Sequence, residues 1–376
     1  MPTYPSPPVT FIRGAGSRLW DGGGKCYLDF LCGIAVTSLG HCHPAVVEAL
    51  SRQAATLWHV SNLYGNPVGP AVAEVLDRLL GGGGRVFLAN SGAEANECAL
   101  KLARRWGGRG RHGVVSAYGS FHGRTLATLA ATGQPSKHEA FQPLPEGFRH
   151  VAWDDLEALS EAVDPTVVAA VLMEPIQGET GVVEASPGYL AGVRRLCDER
   201  GVLLMVDEIQ TGLGRTGRWW GFEHEGIRPD VVTVAKALGN GMPVGACWAR
   251  AEVAGVFRPG DHATTFGGQP LASAAARATL EVMESHDVPA RAATAGARLR
   301  AGLEAMSGVA SVRGKGLLLG AVLAEGLSSA DVAAAALTAG LVVNPVAPGV
   351  VRLAPSLLVS DDEVDEGLGI LGQVLG

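Results

Sequence analysis

Lys236 occupies a position in the sequence that is unusual for an exposed surface lysine. It follows the apolar run Val231–Ala235 and precedes a segment of small residues and glycines, 237–241. Burial away from water lowers the pKa of an amine and makes it available as a nucleophile near neutral pH. The alternative interpretation is a surface lysine whose apolar stem lies along the protein while its amine reaches water.

Asp207 has a similar position, because it directly ends the apolar run Val202–Val206 with no basic residue beside it in the sequence. A buried carboxylate must be paired, or it takes up a proton and becomes neutral. The position of Asp207 therefore predicts that its carboxylate holds a positively charged ligand atom. A helix cap or a structural ion pair remains the alternative.

A helix start with exposed amides is predicted at 90–97, where Ser91 and Glu94 have the spacing of a capping box. Gly92 and Ala93 leave their backbone N–H groups free at that helix start. Small side chains let an anion approach these groups, and the helix dipole favours negative charge there. An ordinary well-capped helix would have the same sequence.

Phe121 and Arg124 lie in a fourth segment, after the apolar run Gly113–Ala117. Phe121 offers an aromatic face, and Arg124 can bind a carboxylate through two hydrogen bonds. The four segments together supply an anion cradle, a cation-binding carboxylate, an amine nucleophile and a stacking aromatic ring. Pyridoxal phosphate is the cofactor that uses all four, so the residues themselves predict it.

The elements that must position these residues are short apolar strands alternating with helical patterns between about residues 66 and 260. Such strands, continuous in apolar residues, predict a mostly parallel sheet covered by helices on both faces, an α/β fold that binds ligands beyond the carboxyl ends of its strands. The strands are predicted at Arg85–Ala89, Gly113–Ala117, Val167–Met173, Val202–Val206, Val231–Ala235 and Val244–Ala249.

The two ends of the chain differ from its middle in their sequence pattern. Residues 1–65 contain a predicted hairpin, and residues 272–376 begin with an alanine-rich helix and continue with mixed short strands. We therefore expect residues 66–271 to form a large cofactor-binding domain. Residues 1–65 and 272–376 are expected to meet in a second, smaller α/β domain.

Composition and charge exclude several classes of protein. The net charge of −7 argues against a protein surface that binds nucleic acid or an anionic membrane. Hydrophobic residues make up 47% of the chain, which is enough to form a large core. The six cysteines show no regular spacing, which predicts reduced thiols in a cytoplasmic protein. The longest apolar run, Val167–Met173, is far shorter than the roughly 20 residues of a membrane span.

The chain resembles the class III pyridoxal-phosphate aminotransferases, a fold-type I family, from about Gly14 to its final helix. Two positions depart from the family pattern: Gln269 and Thr37 stand where asparagine is usual. The strings that carry the resemblance are GIAVTSLGHCHP, HVSNLYGNP, NSGAEANE, FHGRTLATLAATGQ, MEPIQGETGV, VDEIQTGLGRTGRW, PDVVTVAKALGNGMPVGA, TTFGGQP and VRGKGLLLG.

The resemblance implies a role for each site residue. Lys236 would be the Schiff-base lysine and Asp207 the partner of the ring nitrogen. Gln210 would bond to the ring hydroxyl, and Phe121 and Ile209 would pack on the two ring faces. The phosphate would be bound by Gly92, Ala93 and the neighbouring subunit's Thr265. Arg124 and Thr264 would contact the acylated end of the substrate, and Arg352 would bind a carboxylate.

The same resemblance implies a homodimer that moves the terminal amino group of N2-acetylornithine to 2-oxoglutarate, giving glutamate. Its two substrates differ, because only glutamate carries a carboxylate beside the reacting amine. We expect Glu179 to pair with Arg352 for the amine donor and to swing away for the acid. The alternative for Glu179 is that it caps the following turn and never meets Arg352.

Other functions remain open at this stage. A related enzyme of the same class could act on ornithine, 4-aminobutyrate, succinyl-diaminopimelate or a carrier-bound lysine, and a binding protein could keep the cofactor without turnover. A dinucleotide-binding dehydrogenase is disfavoured, because Gly212–Gly217 matches G-x-G-x-x-G but leaves no room for the helix that this motif requires. The triplet 41–43 lacks further ligands at workable spacing, so no metal site is expected.

Overall fold

The computed structural model describes all 376 residues, in seventeen strands and twelve helices. The strands are β1 Phe11–Ala15, β2 Arg18–Asp21, β3 Cys26–Asp29, β4 Gly84–Ala89, β5 Gly113–Ala117, β6 Phe148–Val151, β7 Val168–Met173, β8 Ile176–Gln177, β9 Val183–Glu184, β10 Leu203–Asp207, β11 Val231–Val234, β12 Gly245–Arg250, β13 Val309–Lys315, β14 Leu318–Leu323, β15 Leu341–Val342, β16 Asn344–Ala347 and β17 Val350–Leu353.

The helices lie between and after these strands. They are α1 Cys32–Ala35, α2 Pro44–Ala54, α3 Val68–Leu79, α4 Gly92–Gly107, α5 Leu126–Ala131, α6 Leu156–Ala162, α7 Tyr189–Arg200, α8 Ala251–Ala254, α9 Pro270–Ser285, α10 Val288–Glu304, α11 Ser329–Ala339 and α12 Asp361–Leu375. No helix combines the length and the apolar character that crossing a membrane requires.

The central sheet has seven strands in the order β4-β12-β11-β10-β7-β5-β6. Its pairings are parallel except those of β12, which runs antiparallel to both of its neighbours. All residues of β7 and β10 are buried, as expected for strands covered on both faces. The predicted α/β fold with a mostly parallel sheet is confirmed.

The edge strand β6 was not predicted from the sequence. Its residues Phe148–Val151 include an arginine and a histidine, and only Val151 is fully buried. A strand at the edge of a sheet needs no continuous apolar run, because part of it faces water. The apolar pattern therefore identified the central strands and missed this one.

The two ends of the chain meet in a second sheet of four strands, β1-β2-β3-β15. Leu341 and Val342 of β15 pair in parallel with Leu28 and Asp29 of β3. Another four-stranded sheet, β13-β14-β17-β16, is built from the C-terminal part alone. The domain boundaries after residues 65 and 271 stay a prediction.

The glycines of the segment 212–217 serve close packing. The segment forms turns, and a Cβ atom on Gly214 would lie 2.7 Å from Val288 Cγ2. A Cβ atom on Gly217 would lie 3.2 Å from Ala293 Cβ, and both glycines have φ near +90°. These glycines let α10 approach the loop, and no helix begins at them as a dinucleotide site requires.

Candidate active site

A cavity of about 400 Å³ lies at the carboxyl edge of the central sheet. Residues that follow β4, β5, β7, β10 and β11 converge there, because parallel strands end at the same edge. Nine of the predicted site residues line it: Gly92, Ala93, Phe121, Arg124, Glu179, Asp207, Ile209, Gln210 and Lys236.

The capped helix start predicted at 90–97 is present at the beginning of α4. Ser91 caps the helix, with its Oγ accepting from Glu94 N at 3.2 Å. A Cβ atom on Gly92 would lie 2.7 Å from Ile209 Cδ1, so a larger residue there would displace that side chain. Free amides at a helix N-terminus next to a cavity suit a phosphate group.

Asp207 is buried at the end of β10 and accepts hydrogen bonds on both oxygens. Ile209 N donates to Oδ1 at 3.0 Å, and Asn96 Nδ2 donates to Oδ2 at 2.8 Å. His122 Nδ1 also lies 2.8 Å from Oδ2. The carboxylate is therefore fixed in orientation while it still lines the cavity.

Asn96 and His122 are contacts of Asp207 that the sequence analysis missed. Asn96 is fully buried in α4 together with Ala99, Leu100 and Ala103, which follow it at intervals of three, four and seven. A single polar residue on the apolar face of a helix is a signal that could have revealed Asn96. His122 had no such signal, since it lies in a loop after β5.

Lys236 opens a 3-10 turn, Lys236–Gly239, which is separated from the end of β11 by one residue, and its side chain lines the cavity. Burial lowers the pKa of Lys236, and the positive charge of Arg352 lowers it further, while Glu179 and Asp207 act in the opposite direction. The net effect favours the unprotonated amine. This is the property required of an amine nucleophile.

Glu174 is a second buried carboxyl group on the cavity wall that the sequence analysis did not single out. It follows β7, and its Oε2 accepts from Phe121 N at 3.0 Å. Burial raises the pKa of Glu174 well above its usual value, and the nearby charge of Asp207 raises it further. Glu174 therefore fixes the loop that carries Phe121.

Arg352 lies in β17 and contacts two cavity residues without lining the cavity itself. Its Nη1 lies 2.6 Å from Glu179 Oε1 and 2.9 Å from Gln210 Oε1. Its Nη2 donates to Asn344 Oδ1 at 2.8 Å. Burial alone would raise the pKa of Glu179, but Arg352 and Lys236 outweigh it, so that pKa is lowered.

Gln210 lines the cavity, but its side chain is occupied by other protein groups. Its Oε1 accepts from Arg352 Nη1, and its Nε2 donates to Glu179 Oε1 at 3.3 Å. The bond to a ring hydroxyl that the resemblance implied for Gln210 stays a prediction.

Phe121 and Arg124 are neighbours at the cavity, as their loop suggested. The guanidinium carbon of Arg124 lies 5.5 Å from the centre of the Phe121 ring, a cation–π distance. Arg124 is exposed, which leaves its fork free to bind a carboxylate. Its role toward the substrate is untested.

Thr264 and Thr265 do not line the cavity of their own chain. Thr264 Oγ1 accepts from Gly267 N at 3.1 Å and lies 3.3 Å from Asn90 Nδ2. Thr265 and the neighbouring Phe266 are exposed. The structure thus does not bring these two threonines together with the other predicted residues.

The donors and acceptors of the cavity fit pyridoxal phosphate. Gly92 and Ala93 at the start of α4 match its phosphate, and Asp207 matches its ring nitrogen. Phe121 and Ile209 line the cavity with apolar side chains that suit a flat ring, and Lys236 lines it with an amine. All the residues predicted to contact the cofactor line this cavity, except Thr265.

Comparison with known proteins also indicates an aminotransferase that uses pyridoxal phosphate. The family described as Aminotransferase class-III matches residues 2–375. An acetylornithine aminotransferase of Streptomyces coelicolor is 50% identical over 100% of this chain and 93% of its own length. That of Corynebacterium efficiens is 47% identical over 99% of this chain and 94% of its own length.

Solved structures of similar fold are aminotransferases as well. An ornithine aminotransferase from Toxoplasma gondii has a TM-score of 0.95 and 36% identity, covering 100% of this chain and 92% of that one. An N-acetylornithine aminotransferase from Stenotrophomonas maltophilia has a TM-score of 0.86 and 38% identity, covering 99% and 96%. Enzymes of this family use pyridoxal phosphate, which is therefore the cofactor of this chain. The chain belongs to the class III aminotransferases.

Proposed function

We propose that this enzyme transfers the terminal amino group of N2-acetylornithine to 2-oxoglutarate, giving N-acetylglutamate 5-semialdehyde and glutamate. The observation that carries the proposal is the Arg352–Glu179 ion pair of 2.6 Å beside the cavity. An arginine that can be covered or uncovered suits a pocket that takes two different substrates in turn. The names of the relatives, at 47% to 50% identity over nearly the whole chain, support the same donor.

When bound, pyridoxal phosphate supplies an aldehyde carbon that accepts the amino group and a ring that withdraws electrons from the reacting carbon. Gly92 and Ala93 would hold the phosphate through their amides, with the dipole of α4 behind them. Asp207 would accept from the ring nitrogen and favour its protonated form. Lys236, with its lowered pKa, would provide the amine and serve as the base that takes up the substrate's proton.

The two substrates place different demands on the pocket. Glutamate presents a carboxylate beside its reacting amine, and the guanidinium of Arg352 can bind it through two hydrogen bonds. N2-acetylornithine presents an apolar stem at the same place, where an unpaired buried guanidinium would be costly. Glu179 neutralises Arg352 for the amine donor and moves away for the acid.

The active site is completed by a second copy of the chain. Thr265 is exposed and lies outside its own cavity, yet it is the residue that the family resemblance assigns to the phosphate. Apolar side chains near it are also exposed, with Phe266 60% and Tyr64 75% accessible. A homodimer would cover them and bring Thr265 to the phosphate of the partner's cavity. All six cysteines are free thiols, which fits a cytoplasmic enzyme.

Ornithine is the second candidate donor, because several solved structures similar to this chain are ornithine aminotransferases. A panel of amino donors with 2-oxoglutarate as acceptor tests the proposal. It should contain N2-acetylornithine, ornithine, 4-aminobutyrate, succinyl-diaminopimelate and a carrier-bound lysine. We expect kcat/KM to be highest for N2-acetylornithine, and a higher value for any other donor would refute the assignment.

A further inference from the structure

His122 is a fully buried residue that has no part in the reaction as described so far. Its Nδ1 lies 2.8 Å from Asp207 Oδ2, and its side chain is 0% exposed. An ionised carboxylate only accepts hydrogen bonds, so the proton of this contact belongs to His122 Nδ1. Its Nε2 is buried without a hydrogen-bond partner within the protein, so the contact of Nδ1 with Asp207 is the hydrogen bond that the ring makes.

The contacts of Asp207 leave one acceptor position for a ligand. Asn96 and His122 use both lone pairs of Oδ2, and Ile209 N uses one of the two on Oδ1. The second lone pair of Oδ1 has no donor within the protein. Since Asp207 lines the cavity, this position is the one available to the ring nitrogen of the cofactor.

The two side chains that hold Oδ2 are themselves held by other elements. Asn96 Nδ2 also donates to His122 O, and its Oδ1 accepts from Thr233 Oγ1 of β11, both at 2.8 Å. The backbone of His122 donates to Thr132 Oγ1 at 2.9 Å. Because Asn96 lies on α4 and His122 in the loop after β5, turning the carboxylate would break contacts with two elements, each held in place by further hydrogen bonds.

We propose that His122 is a positioning residue for the ring nitrogen of the cofactor. As a hydrogen-bond donor it fixes Asp207 with one oxygen position facing the ligand. The inference rests on pyridoxal phosphate as the cofactor and does not depend on which amino donor is used.

The test compares two ligands on the apoenzyme and on two variants. One ligand is pyridoxal phosphate, and the other is its 1-deaza analogue, in which a carbon atom replaces the ring nitrogen. His122→Leu removes the donor, whereas His122→Asn keeps an N–H close to the position of Nδ1. The measured quantity is the ratio of the two dissociation constants, determined from cofactor absorbance without any amino donor.

We expect the native chain to prefer pyridoxal phosphate over the deaza analogue. His122→Leu should lower that preference by about tenfold or more, the loss expected for one hydrogen bond to a charged group. His122→Asn should retain most of it. A variant that folds less well raises both dissociation constants by the same factor, so their ratio is insensitive to partial unfolding.

An unchanged ratio in His122→Leu would overturn the proposal, whether or not both affinities fall, because it would mean that His122 supports only the local fold. Equal loss of preference in His122→Asn and His122→Leu would also contradict it. Neither outcome bears on the amino donor, so failure here is distinguishable from failure of the donor panel.

Discussion

Arg352 and Glu179 form an ion pair across 173 residues of sequence, with Arg352 Nη1 2.6 Å from Glu179 Oε1. The two partners differ in their freedom to move. The side chain of Arg352 is 1% exposed and bound also by Asn344, whereas that of Glu179 is 27% exposed. Glu179 is therefore the partner that can leave when a substrate carboxylate arrives.

The first prediction separates the two half-reactions, each followed by cofactor absorbance. Arg352→Ala should slow the step with 2-oxoglutarate by about 100-fold or more, because the carboxylate loses its guanidinium partner. The step with N2-acetylornithine should fall by less than about tenfold. Glu179→Ala should show the reverse, and glutamate should become the relatively better donor.

One conservative variant, Arg352→Lys, serves as the control for this pair. Arg352→Lys keeps the charge and loses the two-pronged geometry, so its defect with 2-oxoglutarate should lie between those of the native enzyme and Arg352→Ala. Equal losses in both half-reactions, for Arg352→Ala and Glu179→Ala alike, would mean that the pair does not distinguish the substrates.

Lys236 should be the residue that bonds covalently to the cofactor. Borohydride treatment of the holoenzyme should fix the cofactor to a single peptide containing Lys236, which peptide mass analysis will identify. Lys236→Ala should still bind the cofactor but lose turnover by about 10⁴-fold or more, since the nucleophile and the proton carrier disappear together. Labelling of any other lysine would disprove the role.

Asp207 should maintain the positive charge on the ring nitrogen. Asp207→Asn keeps the shape of the side chain and removes its charge, so turnover should fall by about 10⁴-fold, as when other catalytic aspartates become asparagine. The measurement is kcat at saturating cofactor, with Asp207→Glu as a control that retains the charge. Activity of Asp207→Asn within tenfold of the native enzyme would contradict this role.

Thr265 should act on the cofactor of the partner subunit. Thr265→Val should weaken cofactor binding by about tenfold, the loss of one hydrogen bond to a charged group. Diluting the native enzyme until the dimer dissociates should weaken binding as well, which cofactor fluorescence and light scattering can follow together. A monomer with undiminished cofactor affinity would refute the shared site.

Glu208, the residue after Asp207, should make stability depend on pH. Its carboxyl group is fully buried and accepts from Thr211 Oγ1, Gly221 N and Phe222 N. Burial raises the pKa of Glu208 to about 7, against about 4.3 for an unperturbed glutamate. The folded chain therefore holds this proton more tightly than the unfolded chain does. The stabilisation is complete below pH of about 4.3 and is lost as the pH rises through about 7.

Urea unfolding at a series of pH values tests the assignment to Glu208. The measured quantity is the free energy of unfolding of the native chain minus that of Glu208→Gln. This difference should decrease by up to roughly 3 kcal/mol between pH of about 4 and 8. Glu208→Gln should be less stable throughout, because its amide group faces N–H donors. A constant difference between the two proteins across this range would show that Glu208 does not titrate there.

Much of the site was determined by the sequence itself. Lys236, Asp207 and Gly92 each lie at or just after the end of an apolar strand, and in a parallel sheet those ends must meet. The strand pattern is local in the chain, since a fully buried strand must be apolar along its whole length. The fold class therefore followed from local patterns, and the cofactor followed from four short segments taken together.

Only the tertiary structure decided which polar groups surround these residues. Asn96 and His122 meet Asp207 across 111 and 85 residues of sequence, and neither local segment identifies Asp207 as the partner. The exposure of Thr265 and the burial of Glu174 likewise depend on segments far away in the chain. A hydrogen bond is set by distances of about 3 Å in the folded protein, and the period of hydrophobic residues carries no information at that scale.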